Sequence, residues 1–537
     1  MNAVPLSVAA AAAATAALCA FCACCAFRAL LVQLASSGLS RRLVGLAALG
    51  MGVLVFGCRV CLGRGNVSWC PYLDQWYAEF GNLVTPLAHG TLGLHHLFAG
   101  NNEHRVFLTR LLSLAATLAN GGWDNRVLVL ANYLLEAVMV AWVCALAWAS
   151  LGWLRGSYVG AAALLPMLLV CDWESIVSSN ETQFVLMAFG TVMALSLAQG
   201  YSLRSLASWG ALALSLLTLG SMVTGFLTAV AMMATGLAVA LVSRRGLGCA
   251  AAFGAVCAAL AALGWFTRVE FTALYPIYAK SPAQWLAAFL AYAAWPMPAN
   301  LLGFAFMWLP WLALSWRTLR SREVQAFAPF ALGLGLWDLM QACALAWSRS
   351  GLSELVSSRY TEFMAWDLVA NAAAAALLAT GPRLQGRARP AAWAAMLLWL
   401  SCAGGFEIWR SGAVYRPYLE EFHAQTLEHE QRLGTFMRKG DPTVISGVEF
   451  PHIPFAAKDI LPTLGDPLVQ PLLPAPLRRD LVRDRQPSLL NGVEDGPLSY
   501  VALRVFAFGP WIAAAGAALL ASALVGACLR RRRAMGP

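Results

Sequence analysis

The sequence predicts an all-α polytopic integral membrane protein, and three observations carry that prediction. Of its 537 residues, 60% are hydrophobic and only 12% charged, more apolar surface than a water-soluble fold can bury. The apolar residues fall in runs near the roughly 20 residues that cross a bilayer as a helix. The arginines gather between those runs: Arg41-Arg42, Arg155, Arg204, Arg244-Arg245, Arg317/Arg320/Arg322, Arg383/Arg387/Arg389 and Arg530 to Arg533. Such clusters mark the cytoplasmic side, so the net charge of +10 reports orientation and argues for no nucleic-acid partner. The 14 cysteines give no disulfide framework. Most, such as Cys19, Cys22, Cys24 and Cys25, sit inside apolar runs as small packing residues. Cys70 and Cys171 fall near the predicted outer face, where a bridge would be allowed.

Taken in order, Pro5 to Leu34 is too long for a signal-peptide core and lacks a basic start, so it reads as a retained span with the N-terminus outside. Leu43 to Leu62 returns the chain outward from Arg41-Arg42. The first outer loop, 63–126, has amphipathic spacing over Tyr72 to Leu87 and His104 to Leu118. It predicts two helices along the membrane surface, joined by a turn near Gly100-Asn101. Val127 to Leu151, Tyr158 to Val170, Phe184 to Gly200, Ala207 to Val223, Gly225 to Val242 and Cys249 to Phe266 read as the next six spans. Outer loops 171–183 and 267–300 interrupt them, the second holding a surface helix, Trp285 to Trp295, stopped by Pro296 and Pro298. Leu301 to Trp316, Phe327 to Trp347, Phe363 to Leu378 and Ala391 to Phe406 follow, with an outer loop at 348–362. Residues 1–406 thus form a polytopic domain. The polar stretch 407–500 reads as an extracytoplasmic soluble segment, helical over Tyr415 to Met437, and 501–537 as a final span with a basic cytoplasmic tail. The total is about thirteen spans, with no internal repeat of the kind transporters show. All seven histidines fall on the predicted outer side (His89, His95, His96, His104, His423, His429 and His452), although they played no part in setting the topology.

That outer face collects the ionisable residues, beginning with Asp74, Glu79, Glu103, His104 and Arg105 in the first loop. Ionisable groups gathered at one membrane face mark chemistry or binding. The motifs there are LDQW at 73–76, NEHR at 102–105, DWES at 172–175 and SRY at 358–360, with HIP at 452–454 and LLP at 472–474 before the last span. On these residues the chain resembles the GT-C fold of membrane glycosyltransferases, which includes the protein O-mannosyltransferases and the aminoarabinose transferases acting on lipid A. More narrowly it is similar to a group of bacterial polytopic proteins. It departs from better-known members in one respect: Asp74 is followed by Gln75 where a second acid is common.

The resemblance implies a glycosyltransferase of the bacterial inner membrane, working on the extracytoplasmic face. It would move a sugar from a polyprenyl-phosphate donor to an envelope glycan, lipid or protein. Such transfer needs a base for the acceptor hydroxyl, for which Asp74 is the candidate; the bland alternative is that Asp74 caps the surface helix after it. Asp172 and Glu174 would shape the acceptor site or help hold a divalent metal, with Asn180 and Gln183 bonding the sugar. Arg359 and Tyr360 would grip the lipid phosphate through a forked guanidinium. Arg349, Arg268, Lys280 and Arg105 are further cations for it, Tyr278 and Glu79 further contacts; membrane headgroups could occupy the same cations. Glu103, His104 and Arg105 orient the loop and donor. No His pair has metal-ligand spacing, so no histidine metal site is expected. Glu136, Asp338 and Asp367 lie within spans without adjacent basic partners, and Asp367 is near enough to Arg359 to pair with it. Two other classes stay open: a secondary transporter or flippase, which would set Glu136 and Asp338 around a central pathway, and a non-catalytic scaffold of envelope assembly.

Overall fold

Runs of Ala, Leu and Val with few turn residues leave helix as the only way to satisfy the backbone in an apolar medium. The computed structural model describes residues 5–36, 40–71, 74–352, 356–379, 388–445, 457–478 and 496–534. Among them there is helix throughout and no strand, only an isolated bridge between Asn101 and His104. Leu73, Arg383, Arg387 and His452 lie outside the described residues.

Each of the thirteen predicted stretches carries a helix. Nine are long and apolar enough to cross a bilayer, which makes the chain a multi-pass α-helical membrane protein. The four that fall short are Trp153–Met167, Leu206–Leu219, Leu301–Ser321 and Ser358–Leu378. Large apolar side chains such as Leu301, Leu302, Phe266 and Trp511 face outward, as expected where lipid is the solvent.

The tightest helix pair is Arg41–Gly63 against Pro497–Ala534. Glycines at seven-residue spacing on both sides, Gly50 and Gly57 facing Gly509 and Gly516, let the backbones touch. A Cβ at Gly50 would stand 2.5 Å from the Leu520 nitrogen, and one at Gly57 or Gly516 would strike the backbone of Ala513 or Leu54. Small residues at a helix interface are the membrane route to close packing.

Two elements differ from expectation. The stretch after Phe406 is not a separate soluble segment at its start: Ala388–Arg410, a π-turn at Ser411–Tyr415 and Arg416–Lys439 form one continuous helix. Polarity rises along it while helix propensity does not fall, so the helix runs on past its apolar half. The first surface helix is wound as a π-helix over Trp76–Val84, followed by Thr85–Ala88. The second spans Phe107–Asn120. Cys70 and Cys171 are free thiols, not a bridge.

A second, smaller apolar core sits on the loop-bearing face. It joins Trp76, Phe80 and Trp123 of the first loop to Leu433 and Phe436 of the long helix and to Leu464 and Leu472 of the 457–478 segment. The backbone of Trp123 donates to the Leu472 carbonyl at 2.9 Å, and His89 Nε2 meets Asp466 Oδ2 at 2.6 Å. The segment is thereby strapped across the first loop.

Candidate functional site

Four loops distant in sequence are tied together on this face. Arg105 Nε donates to the Thr267 carbonyl at 2.7 Å, joining loop one to the third loop. Glu103 pairs with Arg349, and the amide of Gly351 donates to the Ile277 carbonyl at 2.8 Å. Glu174 accepts from Ser357 Oγ at 2.9 Å, Ser358 Oγ at 2.6 Å, the Arg359 amide at 3.1 Å and Arg359 Nη2 at 2.6 Å. Burial alone would raise the Glu174 carboxyl, but Arg359 and these hydroxyls outweigh it and hold it below the ordinary carboxylate range.

Asp74 lines a cavity of about 630 Å³ with Trp76, Tyr77, Gly100, Asn102, Phe271 and Thr463. Its carbonyl takes the Tyr77 amide at 3.0 Å at the start of the following helix. Oδ2 accepts from Asn102 Nδ2 at 3.1 Å, and Asn102 reaches it because its backbone turns through φ +50°. Burial pushes the Asp74 carboxyl up, opposed by Arg359 and Asn102. The result is a carboxylate in a cavity wall, desolvated and oriented by the side-chain amides of Asn101 and Asn102, which suits proton acceptance.

A second, apolar groove of about 520 Å³ is lined by Leu18, Phe98, Arg105, Phe107, Leu216, Leu263 and Thr267 among others. The same two stretches line both: residues 98–107 and 267–271 face the cavity with some side chains and the groove with others. Besides Thr267, Arg105 donates to the Phe98 carbonyl at 3.0 Å. Among the described residues no carboxylate pairs with it.

The remaining candidates fall into three settings. Arg349 donates to the Tyr360 hydroxyl at 3.0 Å, so Glu103, Arg349 and Tyr360 form one buried unit beside His104. His104 accepts from the Val223 amide at 3.4 Å; burial pushes the imidazole down to about 4, with Arg349 and Arg359 adding to burial and Glu103 opposing it. It is neutral at physiological pH. Tyr278 packs on Tyr275 and Trp347, Lys280 Nζ donates to the Tyr275 carbonyl at 2.6 Å, and Arg268 lies 4.1 Å over the Trp265 ring; these three edge the site. Glu79, by contrast, is enclosed away from the cavity. It takes Ser113 Oγ at 2.6 Å and Trp123 Nε1 at 2.8 Å, with Gln75 and Ser179 further off, and ties loop one together. Asn180 Nδ2 donates to Glu181 at 3.1 Å, and Gln183 is buried.

Asp172 does not face Asp74. It is held by both Nη atoms of Arg59, whose Nε lies 2.6 Å from Glu136. Glu136 therefore has the basic partner that sequence reasoning denied it. Asp367 does not pair with Arg359, which lies instead between Glu174 and, at 4.0 Å, Glu181. Arg59, Glu181, Glu362 and Asn102 were missed. An arginine inside the apolar run Leu43 to Leu62 was the available signal for the first of these.

Fold and site together define a polytopic membrane protein with a carboxylate cavity and an adjoining lipid-sized groove on one face. No family model and no curated protein matches the chain.

Proposed function

We propose that this is a membrane glycosyltransferase of GT-C type, with all thirteen helical stretches crossing the bilayer and the loop-bearing face extracytoplasmic. The observation that carries it is that the Asp74 cavity and the apolar groove lined by Arg105 draw their walls from the same two stretches, residues 98–107 and 267–271. The groove would take the prenyl chain of a lipid-phosphate sugar, and Arg105, unpaired with any described carboxylate, would hold the phosphate. The sugar would then reach around residues 98–107 into the cavity. Arg359 was the first candidate for the phosphate; with Glu174 and Glu181 beside it, its charge is already compensated, so it serves Asp74 and the second loop.

In the transfer, the Asp74 carboxylate takes the proton of the acceptor hydroxyl, whose oxygen attacks the anomeric carbon. The bond from that carbon to the phosphate oxygen breaks, and the lipid phosphate leaves with both bonding electrons. Thr463 and the 457–478 strap form one wall of the cavity and would contact the acceptor.

The test is transfer from a radiolabelled prenyl-phosphate sugar pool by protein reconstituted in liposomes. Asp74→Asn should lower turnover by about 10²–10⁴-fold, and Arg105→Ala should raise the KM for the lipid donor. If both variants transfer sugar like the parent, the assignment is wrong.

A further inference from the structure

Arg59, Glu136, Asp172 and Glu362 meet inside the helical bundle, one turn below the Gly63 end of the Arg41–Gly63 helix. Their exposures are 0%, 1%, 5% and 1%. Oxygens of the three carboxylates lie within 4.8 Å of one another. Among the described residues one guanidinium faces them: Arg59 Nη1 donates to Asp172 Oδ1 at 2.9 Å and Nη2 to Asp172 Oδ2, while Nε lies 2.6 Å from Glu136 Oε2 as an ion pair without a hydrogen bond. Glu362 has nothing comparable. No described N–H or hydroxyl donor reaches either of its oxygens, and its polar neighbour is the Asp172 carboxylate, two acids side by side in a buried cluster.

Three carboxylates and one guanidinium leave two negative charges uncompensated, which a low-dielectric interior does not tolerate. We propose that the cluster binds one divalent cation, with Glu362, Glu136 and Asp172 as ligands. A charge of +2 brings the four side chains to neutrality. A donor set of carboxylate oxygens without nitrogen or sulfur selects a hard ion, magnesium, manganese or calcium. Two protons would also balance the charge. However, a proton on one Glu362 oxygen leaves the other without a donor, whereas an ion can take both. Arg59 is the positioning residue, holding Asp172 and Glu136 in place as outer-sphere partners do at metal sites. Asp172 lies two residues before Glu174, so the ion would fix the turn that presents Glu174 to Arg359. This site does not depend on the transfer reading and would stand if that failed.

The experiment uses the full chain in detergent, stripped with a chelator and titrated with Mn²⁺, free ion being followed by its paramagnetic resonance signal. One saturable Mn²⁺ per chain is expected, displaced by Mg²⁺ or Ca²⁺. Glu362→Gln should weaken it by more than about tenfold, and Glu420→Gln, an exposed carboxylate, should bind as the parent does. The proposal is overturned if the parent shows no saturable site, or if Glu362→Gln keeps the parent affinity. Should Glu362→Gln fail to fold, the parent titration decides alone.

Discussion

Replacing Arg59 by methionine keeps most of the side-chain volume and removes, among the described residues, the only guanidinium in contact with Glu136 and Asp172. Arg59 is fully buried, so water cannot take over its role. Breaking a buried pair from one side costs about 3–5 kcal/mol, because the partner is left as an uncompensated charge. Here two partners are left, which places the loss at the upper end of that range. Against a total stability of about 5–15 kcal/mol, this is a third or more of what holds the chain folded. The assay is unfolding of the purified protein in mixed micelles of rising denaturing-detergent fraction, followed by tryptophan fluorescence. Asp172→Asn should be similarly costly alone, and the double variant should lose less than the sum, with a coupling above about 1 kcal/mol. If Arg59→Met unfolds within about 1 kcal/mol of the parent, the buried pair carries little stability and the reasoning fails.

Adding a Cβ at Gly57 drives it into the backbone of Ala513, so Gly57→Ala should cost about 1–3 kcal/mol as overpacking. Gly45→Ala, with nothing within 4 Å, should instead gain roughly 0.5–1 kcal/mol from helix propensity; the same detergent titration compares them. Because burial raises the Asp74 carboxyl, its base form is lost at a higher pH than the roughly 3.9 of a free aspartate. The acid limb of the transfer rate should lie above that value and move further up in Asn102→Ala, which removes a donor to the charged form. Asp466 shifts the other way: the hydrogen bond to His89 and the Leu468 and Val469 amides lower its carboxyl. Its contribution is complete above the unfolded aspartate value and lost as pH falls through the lower folded one. Limited proteolysis of the 457–478 segment should therefore be slow at neutral pH, speed up in acid, and be fast at neutral pH in Asp466→Ala.

Much of the scaffold was legible because the bilayer imposes it. Apolar runs bounded by arginines located the helices, and Pro296 ended the Pro282–Ala293 helix where its ring forbids continuation. A turn was legible near Gly100-Asn101, and the neighbouring Asn102 takes φ +50° before the second surface helix begins at Phe107. What stayed hidden is pairing across distance. Nothing in NEHR says that Glu103 will meet Arg349, 246 residues away, or that Arg105 will hold the backbone at Thr267. Arg59 went unnoticed inside an apolar span, and only the fold shows Asp172 and Glu136 around it. The helix over Tyr415 to Met437 was legible, but not its join to the preceding span: residues 407–414 hold no proline, so the helix runs through Ser411–Tyr415 without a stop.

The Arg41–Gly63 helix is made hundreds of residues before the Pro497–Ala534 helix against which its bare glycines lie. Until then the groove on the early helix has no protein to fill it and must be occupied by lipid tails. The buried arginine on that helix meets its acidic partners sooner, from segments made in between. The partners that settle the charge on the early helix are thus all made before the helix that closes its glycine face.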